Sequence, residues 1–170
     1  MEPCRIVVMG VSGCGKSTVG RLIAEGLGVG YVEGDELHPA ENVARMAAGI
    51  ALTDDDRLGW LQALAERLAD ARARDQGLVL SCSALKRSYR DILRGGAPDI
   101  RFVHLHGDRA VLAARMALRE DHYMPASLLD SQLATLEPPA PDEAALGFDI
   151  EQSPETIVRD ALARLRALPS

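Results

Sequence analysis

Ten residues near the start of this chain constrain it most. Met9 to Thr18 reads "MGVSGCGKST" and fits the spacing G-x-x-x-x-G-K-[ST] from Gly10 to Ser17. An apolar run, Ile6–Met9, precedes it and a helical period follows, which is the context in which such a loop closes on phosphate. Its glycines let the backbone curl so that several N–H groups converge on one set of oxygens, and the helix dipole adds positive potential. Lys16 then reaches the β- and γ-phosphates, and the Ser17 hydroxyl is placed to ligate Mg²⁺. Gly10, Val11, Ser12, Gly13, Cys14, Gly15, Lys16, Ser17 and Thr18 are therefore the expected ATP-binding loop.

The rest of the chain supplies the sheet that such a loop needs. Apolar runs read as buried strands at Ile6–Met9, Gly30–Val32, Leu78–Cys82, Ile100–Leu105 and Leu146–Ile150. Helical periods lie between them. Val19, Leu22, Ile23 and Leu27 share one face after the loop. Trp60, Leu61, Leu64 and Leu68 share another, opened by Thr53 and three aspartates that suit a helix N-terminus. Val111, Leu112, Arg115 and Leu118 follow the fourth strand, and a last helix has Ser153 as N-cap and Pro154 at its first position. Strand and helix in alternation predict an α/β fold, a five-stranded parallel sheet flanked by helices. The proline-rich Leu136–Glu143, "LEPPAPDE", reads as a connection within one domain spanning 1–170.

Composition removes several classes of function. At 170 residues the chain suits one domain, which needs neither disulfide nor metal to bury a core. Nineteen Lys and Arg against 25 Asp and Glu leave a net charge of −6, a poor footprint for nucleic acid or an anionic membrane. One Trp, three Tyr and two Phe offer few platforms for stacking bases. Cys4, Cys14 and Cys82 have no metal-binding spacing and suit a reducing, cytoplasmic compartment. The run Ile6–Met9 is too short for a signal peptide or a membrane span.

Two kinds of triphosphate user remain. A guanine-nucleotide switch needs an N-K-x-D element, yet the only asparagine, Asn42, is followed by Val43. Motors place a Mg²⁺-binding aspartate at the end of a buried strand, but Leu78–Cys82 continues as Ser83-Ala84-Leu85. A small-molecule kinase instead needs a carboxylate beside an acceptor hydroxyl held in line with the γ-phosphate. That site lies beyond the carboxyl ends of the strands. Asp35, closing "YVEGD" one crossover after the phosphate loop, is the candidate base; taken alone it also fits an ordinary turn aspartate.

Beyond the loop, Gly34-Asp35 with His38-Pro39, Asn42, Met46 and Gly49 form one group of residues. Leu52, Asp54-Asp55-Asp56-Arg57 and Trp60-Leu61 form a second. "CSALKRSYRDILR" from Cys82 to Arg94 and "HYMPASLLDSQLATLE" from His122 to Glu137 complete the set. With these the chain resembles, nearly end to end, the thermoresistant-type gluconokinases, within the P-loop kinases shaped like shikimate and nucleoside monophosphate kinases. The resemblance implies phosphorylation of D-gluconate by ATP with Mg²⁺, a substrate-binding helical region at about 36–75, a small lid at about 116–127, and a homodimer. Another P-loop small-molecule kinase, such as a shikimate kinase, is the alternative.

The resemblance gives Lys16 and Asp35 catalytic roles and surrounds the sugar acid with His38, Arg57, Lys86 and, in reserve, Arg90. A carboxylate substrate suits Arg and Lys. Each residue also has a plainer reading. Arg57 could pair with Asp54 or Asp56 on its own helix, Lys86 could be a helix-surface lysine, and His38-Pro39 a turn. Arg119 is expected on the phosphates and Arg115 beside the adenine, or both as solvated helix arginines four apart. Asp121 stands where the family commonly has glycine, and Leu133-Ala134 where it has a Phe-Glu pair. Cys14 carries two readings: a thiol activated by Lys16 and the helix N-terminus and open to oxidation, or a buried small residue.

Overall fold

The computed structural model describes residues 3–117 and 127–167. Five parallel strands stand in the order β2-β3-β1-β4-β5. They are β1 (Arg5–Met9), β2 (Gly30–Glu33), β3 (Leu78–Ser81), β4 (Arg101–His106) and β5 (Leu146–Asp149), each within a residue of its expected bounds. β1 lies at the centre, and Ile6, Val7, Val8 and Met9 are wholly buried, as the four-residue apolar run required. The helices are α1 (Lys16–Leu27), α2 (Ala40–Ala47), α3 (Asp54–Ala73), α4 (Arg87–Gly96), α5 (Arg109–Ala117), α6 (Ser127–Thr135) and α7 (Pro154–Ala167). No helix among the described residues is long and apolar enough to cross a membrane.

Local chemistry fixes the helix starts. Thr53 accepts from the Asp56 amide at 3.1 Å while the Asp56 carboxylate accepts from the Thr53 amide at 2.9 Å, a reciprocal capping box that opens α3. The Ser153 hydroxyl accepts from the Thr156 amide at 3.1 Å, and Pro154 follows as the first residue of α7. α3 then buries Trp60, Leu61, Leu64 and Leu68 beneath the sheet's acceptor side, while α1 and α7 pack side by side.

The Pro-rich connection is anchored from within. Glu143 is buried and takes bonds from Arg90 Nε at 2.7 Å and Nη2 at 3.1 Å, and from Arg94 Nη2 at 2.7 Å. Burial alone would raise the Glu143 pKa; these bonds and the Ala140 amide override it and hold the group at about 2. Arg90 also donates to the carbonyls of Ala84 (2.8 Å) and Leu85 (3.4 Å) and exposes none of its surface. This corrects the expectation that Arg90 binds substrate: its guanidinium is used inside the fold. Removing one partner of such a pair strands a buried charge. Glu143→Ala should therefore lower the free energy of unfolding by about 3–5 kcal/mol in a urea titration, and a loss below about 1 kcal/mol would mean that the pair is not needed.

Candidate functional site

The phosphate loop leaves β1 and enters α1 through Gly15, whose φ of 88° is a left-handed conformation that suits glycine. Lys16 folds back over the loop, its Nζ 3.2 Å from the Val11 carbonyl and 3.9 Å from Cys14 Sγ. Cys14 is 2% exposed, and its Sγ lies 2.7 Å from where a Cβ on Gly10 would stand. The sulfur therefore packs under the loop, the second of its two readings, with little surface for an oxidant. Gly13, Cys14, Gly15, Ser17 and Thr18 line a cavity of about 370 Å³ together with Arg21, Arg115, Gln152, Pro154 and Ile157. Arg115 is fixed at its rim by a bond from Nη2 to the Ile150 carbonyl. Arg119 and most of the expected lid, residues 118–126, lie outside the described residues.

A residue that the sequence reading passed over stands beside Ser17. Glu33, the last residue of β2, accepts from Ser17 Oγ, from Tyr31 Oη at 2.9 Å and, at its other oxygen, from Ser81 Oγ at 2.8 Å. Burial pushes its pKa up, but these three hydroxyls and the Lys16 charge outweigh that and keep it below the ordinary carboxylate range. An anionic carboxylate facing the expected Mg²⁺ ligand is the group that was missing from the end of β3. The signal was present in "YVEGD", where only the aspartate was weighed.

Asp35 follows in a short 3₁₀ turn, Gly34–Leu37. Gly34 has no room for a side chain, since a Cβ would lie 2.0 Å from the Ser81 carbonyl. Trp60 Nε1 donates to the Gly34 carbonyl at 2.8 Å, so α3 holds the turn that carries Asp35. The same indole stacks under His38, with ring centroids 3.9 Å apart and planes at 17°. Burial, then the Arg57 charge, lower the His38 pKa to about 4. The neutral ring accepts from Asn42 Nδ2 at Nδ1 (3.4 Å), which leaves Nε2–H as a donor for a substrate hydroxyl.

The cations come next. Arg57 does not pair with its neighbouring aspartates: Nη1 donates to Tyr89 Oη at 2.9 Å, across from α3 to α4. Asp56 pairs with Arg45 and Asp54 with Lys86. Burial raises the thiol of Cys82, just past β3, to about 12, with Asp35 adding to the rise and Lys16 and Arg57 opposing it. Arg57 also acts on His38 and shares the Tyr89 ring with Lys86, whereas Arg90 is drawn inward to Glu143.

Comparison with known proteins gives the family. The family model for an AAA domain matches residues 6–139. A gluconokinase of Gluconobacter oxydans is 46% identical, covering 98% of this chain and 94% of its own. The thermoresistant gluconokinase of Escherichia coli is 41% identical, over 92% of this chain and 90% of its own. The crystal structure of a gluconokinase from Sinorhizobium meliloti superposes with a TM-score of 0.87 at 55% identity, covering 96% of this chain and 92% of that one. The chain belongs to the gluconokinase family. It is a P-loop kinase, and its substrate on the nucleotide side is ATP.

Among the residues around this gluconokinase-family site, one pH dependence follows from two histidines. His38 stays neutral in the folded protein to about pH 4, and so does His104 on β4, whose burial, with His106 and Arg90 nearby, lowers its pKa to about 4. The unfolded chain takes up both protons near pH 6.5. Their contribution to stability is therefore constant above that value and falls as pH drops from about 6.5 to 4, because only the unfolded state binds the protons. The midpoint of thermal unfolding should follow this course, and His104→Leu should make the slope between pH 6.5 and 4.5 shallower.

Proposed function

We propose that the protein transfers the γ-phosphoryl group of ATP to the 6-hydroxyl of D-gluconate, giving 6-phospho-D-gluconate and ADP. The observation that carries this reading is that the phosphate loop and the turn bearing Asp35 are both bonded to the end of β3, the Gly10 amide donating to the Ser83 carbonyl at 3.3 Å and the Gly34 amide to Ser81 Oγ at 3.3 Å, while Trp60 of α3, three residues after Arg57, holds the same turn. It joins a phosphate-binding cation, a base and a carboxylate-binding cation in one cleft. Gluconate enters with its carboxylate toward Arg57 and Lys86 and its chain along His38. The 6-hydroxyl comes to Asp35, which accepts its proton as the oxygen attacks the γ-phosphorus and the bond to the β-γ bridging oxygen breaks. Lys16 and the loop amides hold the phosphoryl oxygens and the charge that gathers on ADP.

Mg²⁺ fits beside Ser17. Ser17 Oγ would give it a lone pair while donating its proton to Glu33, and the ion would supply charge for the β- and γ-phosphates. Arg115 lies at the rim of the loop cavity, where we place the adenine, and we assign Arg119 to the phosphates. The chain is read as one kinase domain, 1–170, with residues 36–75 as its substrate-binding helical region and 116–127 as its lid. We further infer a cytoplasmic homodimer that acts on small molecules, with no role for nucleic acid or membrane.

An ADP-release assay across gluconate, shikimate, adenylylsulfate and nucleoside monophosphates tests the reading. Gluconate should exceed the others in kcat/KM by at least about 10²-fold, because a wrong ligand leaves hydroxyl-reading groups unpaired. Equal turnover of shikimate would overturn it. Asp35→Asn keeps the size of the side chain and removes the base, so kcat should fall by roughly 10²–10⁴-fold with the KM for ATP little changed. A near-normal kcat would return Asp35 to the role of a turn residue.

A further inference from the structure

Asp54 is the first residue of α3, and its carboxylate faces two groups of α4. Lys86 Nζ lies 3.1 Å from Oδ1 and 3.4 Å from Oδ2, and Tyr89 Oη donates to Oδ1. A hydroxyl has one proton, so having given it to Asp54 the Tyr89 oxygen accepts, here from Arg57 Nη1 at 2.9 Å. The ring below serves the same two cations. Arg57 Cζ is 5.2 Å from its centroid and Lys86 Nζ 5.7 Å, both within reach of its negative face. Tyr89 is 4% exposed, so this arrangement has a fixed base, whereas the Asp54 side chain is 63% exposed. One buried side chain therefore holds together two like charges, Arg57 and Lys86, that would otherwise repel.

We propose that the Asp54 carboxylate occupies the place of the substrate's carboxylate, and that Tyr89 is the positioning residue that makes this place a site for one carboxylate. The proposal rests on the reading of gluconate as the acceptor. Two cations, Arg57 and Lys86, thus flank a place for one carboxylate, which a monoanionic sugar acid fills as Asp54 does. An open Lys–Asp pair contributes little to stability, so the substrate's carboxylate can take its place at small cost. Asp54 needs only to swing into water, and its position at a helix N-terminus remains favourable there. The incoming group gains Lys86 and the Tyr89 hydroxyl as donors, with Arg57 already held alongside. A neutral sugar or polyol gains none of these bonds and leaves Asp54 seated, so the same contact selects acids over their uncharged analogues.

Steady-state kinetics with gluconate and ATP, with thermal unfolding alongside, decide the matter. Tyr89→Phe keeps the ring under both cations and removes only the hydroxyl. The KM for gluconate should rise about tenfold, in line with the loss of one hydrogen bond to a charged group, with kcat and the KM for ATP within about threefold. The unfolding midpoint should stay close to the parent's, which a merely structural hydroxyl would not allow. Asp54→Asn removes the resident anion while keeping a polar helix start, so the KM for gluconate should fall several-fold. A Tyr89→Phe enzyme with an unchanged KM for gluconate, or an Asp54→Asn enzyme whose KM rises, overturns this inference alone. A parent enzyme that does not phosphorylate gluconate overturns it together with the proposed function.

Discussion

The acceptor side of the site depends on one peptide unit, Gly34. Its carbonyl takes the Trp60 indole proton, its amide donates to Ser81 Oγ at 3.3 Å, and its α-carbon lies against the Ser81 carbonyl. These contacts tie the end of β2 to β3 on one side and to α3 on the other. Glu33 and Asp35 sit immediately before and after this unit, and so the backbone that carries both carboxylates is fixed by these contacts. Any residue larger than glycine would drive β2 away from β3, and both carboxylates would move with it. The indole serves twice, because the face that supports His38 belongs to the ring that fixes Gly34.

Charge around the cleft is arranged in opposed pairs, which explains how so many ionised groups share a small space. Glu33 lies within the field of Lys16, Asp54 is bonded to Lys86, and Asp35 and Arg57 act on Cys82 with opposite sign. None of these requires a fully buried ion pair, whose desolvation would offset its attraction. Among the described residues the fully buried pair, Arg90–Glu143, lies away from the chemistry and is further bonded: Glu143 accepts from Arg94 and the Ala140 amide, and Arg90 donates to the Ala84 and Leu85 carbonyls. That difference separates a pair that holds the fold from groups that must exchange partners during turnover. His38 fits the same logic: beside Arg57 a second positive charge would be unfavourable, and the ring stays neutral.

The strands, the helix caps and the phosphate loop were legible in the sequence because each is written in local order: an apolar run, a Thr or Ser three residues before its amide donor, a fixed glycine spacing. The positions of Lys16 at the start of α1 and of Asp35 just past β2 were legible for the same reason. Arg90 was not, because Lys86 and Arg90 are four apart near the start of one helix and look alike from α4 itself. Glu143, 53 residues further on, decides their difference by drawing Arg90 inward. Arg57 was open for a related reason: Asp54 and Asp56 on its own helix stood as candidate partners, yet Lys86 and Arg45 take those, and its own partner is a tyrosine on another helix. Sequence order reports neighbours along a helix and says little about which helix packs across from it.

α6 touches both the phosphate loop and α2. Gln132 is buried, and its Oε1 accepts from the Ser12 amide of the phosphate loop at 2.8 Å. One turn earlier, Leu128 packs with Met46 of α2 and Leu52, a small apolar cluster separate from the main core. Ser127 Oγ stands close to Gly49, at the turn that ends α2. A helix that bonds the phosphate loop at one residue and packs against α2 at another cannot shift without moving both, since packed side chains do not stretch. Leu133 and Ala134 sit directly after Gln132 on this helix, with Leu133 turned against the main core. The coupling between the phosphate loop and α2 therefore rests on the Gln132–Ser12 bond and the Leu128 cluster.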